Sequence, residues 1–157
     1  MIKRYTRPEM GAIWEDQNRY QKWLDVELAV CKVWHELGEI PADALERIKS
    51  KASFSVDRID EIEKVVKHDV IAFLTSVADY VGKDSGYVHL GLTSYDVVDT
   101  AMSLLLKESL HLIRRNLTEF KGILKEQALK YKKTLTIGRT HGVHAEPVTF
   151  GFKVLVW

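Results

Sequence analysis

Between Tyr95 and about Tyr131 the apolar residues return at helical intervals: Val97, Val98, Ala101, Leu104, Leu105 and Leu112, then Phe120, Ile123, Leu124 and Leu129. Residues three and four apart share one face of an α-helix, so this spacing predicts a long amphipathic helix, with a break near Asn116 left open. Such a helix cannot bury its apolar face alone and needs other helices against it. Only nine glycines and three prolines punctuate the 157 residues, which favours long helices over many tight turns. The expected fold is all-α: a small helical N-terminal domain over 1–92, followed by the first part of a long helical bundle over 93–157, truncated.

The first domain divides further. Residues 11–37 read as one helix, with Tyr20, Leu24, Leu28 and Cys31 on one side and Trp23, Glu27 and Val30 nearby. Gly38 is placed to end it. Pro41 opens a short helix carrying Leu45 and Ile48, and Ser55 can cap another that holds Ile59, Ile62 and Val66 in register. Lys67-His68-Asp69 is a polar interruption, after which Val70, Phe73, Leu74 and Val77 resume the pattern up to Gly82. Residues 82–92 contain three glycines and read as a loop. Past a second loop at 134–146, Phe150, Val154 and Trp157 begin a new apolar face with no cap, basic turn or glycine to close it. The sequence is therefore expected to be an N-terminal piece that ends just inside a helix.

Charge narrows the function. Lys and Arg number 23 against 22 Asp and Glu, a net +1, and they are scattered, so neither nucleic acid nor an anionic membrane is an expected partner. The single cysteine, Cys31, excludes an internal disulfide and fits a buried small hydrophobe in a reducing compartment. The N-terminus lacks the apolar core of a signal peptide, and no apolar run reaches membrane-spanning length. The expectation is a soluble, cytoplasmic protein. No glycine-rich phosphate loop of the P-loop or dinucleotide type is present, and no cofactor is expected. Only His141 and His144 approach paired-ligand spacing, and no metal is expected there.

The stretch Thr136–Gly151 concentrates chemistry: Arg139, Thr140, His141, His144 and Glu146 lie between Gly138 and Pro147. Glycine lets a backbone turn sharply, and proline suits the first turn of a helix. The segment reads as a loop that presents an imidazole and enters a helix at Pro147. Histidine is the side chain best suited to moving a proton near neutral pH, although a histidine beside Thr and Gly is more often a hydrogen-bonded structural residue. Lys67-His68-Asp69 has a bland reading too, as a helix start with Asp69 near the positive end. Thr93 and Ser94 read as helix caps, and Asp96 and Asp99 as complements to the first turn. Arg4 and Tyr5 lie in a terminal segment with little apolar periodicity. His35 and His111 read as structural or surface residues.

Arg139-Thr-His-Gly-Val-His-Ala-Glu-Pro147 resembles the adenylosuccinate lyase family of the fumarase/aspartase superfamily. Arg4-Tyr5, Lys67-His68-Asp69 and His89-Leu-Gly-Leu-Thr-Ser-Tyr-Asp-Val-Val-Asp-Thr100 are similar to that family in the same order, so the likeness runs along the whole chain. One departure is Tyr95, where a smaller polar residue is expected.

The resemblance implies a β-elimination that breaks a C–N bond between a purine-pathway nitrogen and a succinyl group and releases fumarate. It implies His141 as the general acid for the leaving nitrogen, with Thr140 positioning substrate. Lys67, His68 and Asp69 would form a substrate-binding trio, and Thr93 and Ser94 would face the succinyl end. Arg4 and Tyr5 would fold over the phosphate, with His89 as a wall or phosphate-side contact, and His144 and Glu146 would orient the His141 segment. The implied substrate is a nucleotide carrying two carboxylates and a phosphate, and the implied assembly is a homotetramer with composite sites. The superfamily's base is a serine on a loop rich in Ser, Met, Lys and Asn; no such loop occurs in 1–157, so these residues alone are expected to be inactive. Two alternatives stay open. One is another member of the superfamily, such as argininosuccinate lyase, fumarase or a carboxymuconate cycloisomerase, against which the Arg4-Tyr5 start and the Gly142–Glu146 spacing argue. The other is a non-catalytic helical association module.

Overall fold

The computed structural model describes residues 2–157. They form two compact units, one up to Ser109 and one from Leu110 to Trp157. The first holds α1 (Pro8–Ile13), α2 (Asp16–Glu36), α3 (Ala42–Lys51), α4 (Val56–Val66) and α5 (Asp69–Val81), with 3-10 turns at Lys3–Tyr5 and Gly82–Tyr87. The long α6 (Ser94–Lys130) begins in the first unit and continues into the second without a break at Asn116. The second unit adds a hairpin, β1 (Leu135–Thr140) and β2 (Val143–Thr149), and α7 (Phe150–Leu155).

The single helix expected over 11–37 is two. Pro8 stands at the start of α1, and Glu15 takes an extended conformation before α2 (φ −72, ψ 149). The Asn18 side chain explains the break, because its amide donates to the Ile13 carbonyl at 2.9 Å and so satisfies the end of α1. The other end of α2 follows the sequence. Gly38 is left-handed (φ 87), its N–H meets the His35 carbonyl at 2.9 Å, and the Glu39 N–H meets the Trp34 carbonyl at 2.9 Å. Those two bonds form a Schellman closure, which favours glycine because a Cβ is strained at this φ. Ser55 caps α4 as its position predicts, its hydroxyl accepting from the Arg58 N–H at 3.3 Å.

The core of the first unit is aromatic. Phe73 of α5 is fully buried; it stacks with Tyr20 at 5.8 Å between ring centroids and meets the edge of Trp23 at 5.4 Å. Tyr20 and Trp23 are themselves edge-to-face at 5.2 Å, and Phe54 lies 6.0 Å from Phe73. Offset and edge-on arrangements add to the burial of large rings. Ile48 of α3, Ile59 of α4, and Val97 and Ala101 of α6 pack on this cluster, so five helices share one core. Arg47 of α3 then forks onto Asp84, Nε to Oδ2 at 2.7 Å and Nη2 to Oδ1 at 3.0 Å, fixing the turn that follows α5. That guanidinium holds the Asp84 carboxyl below its ordinary range.

In the second unit the 134–146 loop and the helix expected at Pro147 are replaced by the hairpin. Pro147 sits in β2 opposite Ile137, and the helix starts at Phe150, where the Thr149 hydroxyl accepts from the Phe152 N–H at 3.2 Å. The sheet has only two strands, so the proline's missing N–H removes no interior ladder bond. Tyr131 and Phe150 meet edge-on at 5.3 Å, and the Gly151 N–H donates to the Tyr131 carbonyl at 3.0 Å. A Cβ on Gly151 would stand 2.4 Å from the Ala128 carbonyl oxygen and 2.7 Å from the Lys132 backbone. Gly151→Ala therefore forces α7 away from the end of α6. It should lower the melting temperature and increase amide exchange across 147–155 while leaving exchange at Phe73 and its neighbours unchanged.

Candidate functional site

The polar interruption at 67–69 is a two-residue joint. Lys67 closes α4 in the left-handed conformation (φ 55), and His68 is the N-cap of α5 in an extended one (φ −151). The His68 Nδ1 accepts from the Ile71 N–H at 3.4 Å, and the Asp69 carboxylate accepts from the Val70 N–H at 2.7 Å. The same Nδ1 lies 3.5 Å from the Asp69 Oδ1. One nitrogen cannot accept from an amide and donate to a carboxylate together, so the capping form carries its proton on Nε2. Capping and ligand binding are compatible here, because the cap uses one ring nitrogen and leaves an N–H on the other.

The 88–94 segment lies against α2. His89 is left-handed (φ 68), and its Nδ1 is 2.6 Å from the Oε1 of Glu27. Glu27 is 0 % exposed, and its Oε2 has no partner among the described residues. Burial pushes the Glu27 carboxyl above its ordinary value, and the His89 hydrogen bond and charge oppose that. The Trp34 indole N–H donates to the Leu90 carbonyl at 2.7 Å, and Gly91 (φ 73) comes so close that a Cβ there would stand 3.0 Å from the Trp34 ring. Thr93 precedes α6; its N–H is taken by the Asp96 carboxylate at 2.9 Å, which gives Asp96 the reciprocal half of a capping box. Thr93 and Ser94 thus stand at a helix N-terminus, where free N–H groups and the dipole favour an anion.

Arg4 and Tyr5 form part of the first 3-10 turn, with the guanidinium carbon 4.8 Å from the Tyr5 ring centroid. Tyr5 is 74 % exposed.

In the second unit His141 occupies the tip of the hairpin. Thr140 pairs with Val143, leaving His141 (φ 50) and Gly142 (φ 76) as a two-residue loop with both φ positive. That is the requirement of a type I′ turn, whose twist matches that of the strands. Histidine tolerates the left-handed region better than branched residues do. The pairing shifts between Ile137–Pro147 and Arg139–His144, so Ala145 and Glu146 together oppose Gly138: a bulge in β2. A Cβ on Gly138 would come within 3.0 Å of the Glu146 carbonyl oxygen, which suits glycine. Thr140, His141, His144 and Glu146 are all exposed, and His141 makes no hydrogen bond or ion pair to any described residue.

No hydrogen bond or ion pair among the described residues joins the 67–69 joint to the 88–94 segment. A cavity of about 830 Å³ in the first unit lies between α2, residues 90–92 and the first turns of α6. Asp96 lines it, whereas His68, His89 and Thr93 do not. Lys67 borders a shallower hollow with Asp60, Glu63 and Lys64. No group of three or more His, Cys, Asp or Glu among the described residues could hold a metal ion. The functional candidate that the sequence reading passed over is Glu27. Its signal was an acidic residue inside the apolar row Tyr20, Leu24, Cys31, since an acid at such a position is rarely buried without a partner.

A family model described as Lyase matches residues 3–157. Among curated proteins, the adenylosuccinate lyase of Aquifex aeolicus (strain VF5) is 51 % identical, covering 100 % of this chain and 37 % of its own length. That of Bacillus subtilis (strain 168) is 52 % identical over 157 residues, and that of Synechocystis sp. 54 %; the match covers 36 % of each. The chain thus spans little more than a third of the curated relatives it matches. Among solved structures, a fumarate lyase from Mesorhizobium sp. BNC1 aligns with a TM-score of 0.88 at 29 % identity, over 94 % of this chain and 36 % of that one. A 3-carboxy-cis,cis-muconate lactonizing enzyme from Pseudomonas putida also reaches 0.88, at 32 % identity over 96 % of this chain and 36 % of that one.

The His68 cap gives a separable test. His68→Ala should cost about 1 kcal/mol, the usual loss when an N-cap is removed. His68→Asn should restore the cap and the melting temperature while still lacking the imidazole. Equal urea midpoints for His68→Ala and the parent would show that His68 does not hold the start of α5.

Proposed function

This chain belongs to the lyase family matched across residues 3–157, and on that basis we propose that it supplies the N-terminal part of an adenylosuccinate lyase. One observation carries the reading: proteins of that name match it from end to end at about half identity. The reaction is a β-elimination on adenylosuccinate, giving AMP and fumarate, and on the related succinyl-carboxamide ribonucleotide of purine synthesis. A base removes the carbon-bound proton of the succinyl group, the C–N bond breaks, and the departing nitrogen takes a proton. His141 is the proton donor, and Thr140 beside it positions the substrate. The short turn supports this role, because it leaves the imidazole free of protein hydrogen bonds at a defined place.

The binding groups divide by charge. Thr93 and Ser94 take a succinyl carboxylate through their hydroxyls at the start of α6, where the helix dipole favours an anion. Lys67, His68 and Asp69 hold further polar and anionic groups, and Arg4, Tyr5 and His89 lie on the phosphate side, the guanidinium suiting phosphate through paired donors. We place the base in a segment outside these residues and expect little turnover from 1–157 alone, because catalytic groups that act as a unit fail together. We place the domain boundary at 92/93, where α6 is about to begin at Ser94, whereas the compact units divide within that helix at Ser109. The compartment is the cytoplasm, supported by the free, buried Cys31 thiol.

The assembly is a homotetramer. Leu106, Leu110, Ile113, Leu117 and Phe120 alternate steps of four and three along α6 and are 44–63 % exposed. That is the spacing of a helix-packing seam, which supports association between copies through α6.

Two experiments test these readings. In the intact enzyme, His141→Ala should slow fumarate release by about 10²–10⁴-fold, the range of a lost general acid, with little change in folding. An unchanged rate would remove His141 from the mechanism, and a panel that includes argininosuccinate and carboxymuconate would reveal a different substrate. Leu110→Lys together with Leu117→Lys should lower the assembly mass in light scattering without loss of helix content. An unchanged mass would clear the seam of that role.

A further inference from the structure

Glu27 is the one fully buried acidic side chain among the described residues, and its surroundings do not require an acid. The 88–93 segment is already fastened to α2 by the Trp34–Leu90 hydrogen bond and by the close approach of Gly91 to the indole. A neutral residue would fill the space without a carboxylate oxygen that finds no partner. Glu27 instead grips His89 by Nδ1 at 2.6 Å, and His89 accepts a left-handed backbone (φ 68) to be held there. Unfavourable backbone of this kind persists where neighbours over-determine it, and it clusters at functional sites. The His89 side chain keeps 19 % of its surface exposed, and its Nε2 has no hydrogen-bond partner among the described residues.

We propose that Glu27 is a positioning residue. It fixes the His89 ring by Nδ1, so that in the imidazolium form Nε2–H can donate to an anionic oxygen of the ligand, the phosphate of a nucleotide. The inference rests on the reading that His89 lies on the phosphate side. With the Nδ1 proton given to Glu27, a neutral ring offers only a lone pair at Nε2, which repels an anion. One added proton turns Nε2 into a donor, and a buried carboxylate against the other edge favours that proton. An anion at Nε2 and the carboxylate at Nδ1 then favour the same imidazolium form from its two edges. The neighbouring ionisable groups are few. Cys31 follows Glu27 on α2, with its thiol pushed up to about 11 by burial and then by the Glu27 charge, so it stays neutral. Tyr87 ends the preceding turn, and Asp96 stands at the start of α6.

The test uses the intact enzyme with ¹⁵N-labelled histidine, because the site is expected to be composite. In the parent, the neutral His89 ring should show the Nδ1–H tautomer, the less common one for a free imidazole. Glu27→Gln keeps an acceptor for Nδ1 but removes the charge, and the response of the His89 Nε2 resonance to AMP should shrink. Glu27→Asp should recover most of that response. An Nε2–H tautomer in the parent, or equal AMP responses in the parent and Glu27→Gln, overturns the proposal. An Nδ1–H tautomer in a His89 whose Nε2 ignores AMP overturns the phosphate-side reading instead and leaves the Glu27–His89 contact standing.

Discussion

The buried ring of Phe73 is the contact on which the first unit depends. Tyr20 and Trp23 from α2 and Phe54 from the α3–α4 connection close around it, and Ile48, Ile59, Val97 and Ala101 complete the same core. Interiors of this density tolerate little displacement, so the helix ends that leave the core are fixed along with it. The candidate site groups of this unit sit at such ends. His68 is where α5 begins, and Thr93 is where α6 begins, while the segment between Gly82 and Thr93 is tied down by Arg47–Asp84, Trp34–Leu90 and Glu27–His89. A helix N-terminus has unsatisfied donors as a matter of geometry, so the residue that caps it is already aimed where an anion is stable. Structural and functional roles coincide because both answer the same local need.

Most of the first unit was legible because its signals are local. Gly38 ends α2 through a left-handed residue, Ser55 caps α4, and the apolar spacing of 97–129 belongs to one helix. The break before α2 was not legible. Trp14 and Glu15 carry no turn signature, and the decisive group is the Asn18 side chain, which reaches back to the Ile13 carbonyl. The hairpin was missed for a related reason. His141-Gly142 plays the part usually given to Asn-Gly, and Pro147 looked like the first residue of a helix when Thr149, two residues later, was the cap. Thr136, Ile137, Val143, Val148 and Thr149 carry β-branched side chains suited to strands, a signal outweighed by the glycines between them.

At the site, the sequence could name residues more readily than relations. The Lys67-His68-Asp69 run shows in one dimension, but which nitrogen of His68 is occupied depends on the turn that follows it. The Glu27–His89 contact joins residues far apart in the chain, and neither position announces the other. A buried acid is costly without a partner, so the carboxylate inside an apolar row already implied a cation or donor opposite it. Its identity waited on the path of the chain.

The extra residue in β2 works like a shift of reading frame. Directly opposed residues share a side of a two-stranded ribbon, so Thr149 and Pro147 lie with Leu135 and Ile137. Past the bulge, parity inverts, and His144, not Val143, joins Arg139 on that same side. Without the extra residue at Ala145–Glu146 the strand would run regularly from Pro147 to His144, and the same imidazole would face the guanidinium, because the His141–Gly142 turn fixes that pairing. The bulge therefore bends and twists the ribbon without choosing which side chains meet near its tip.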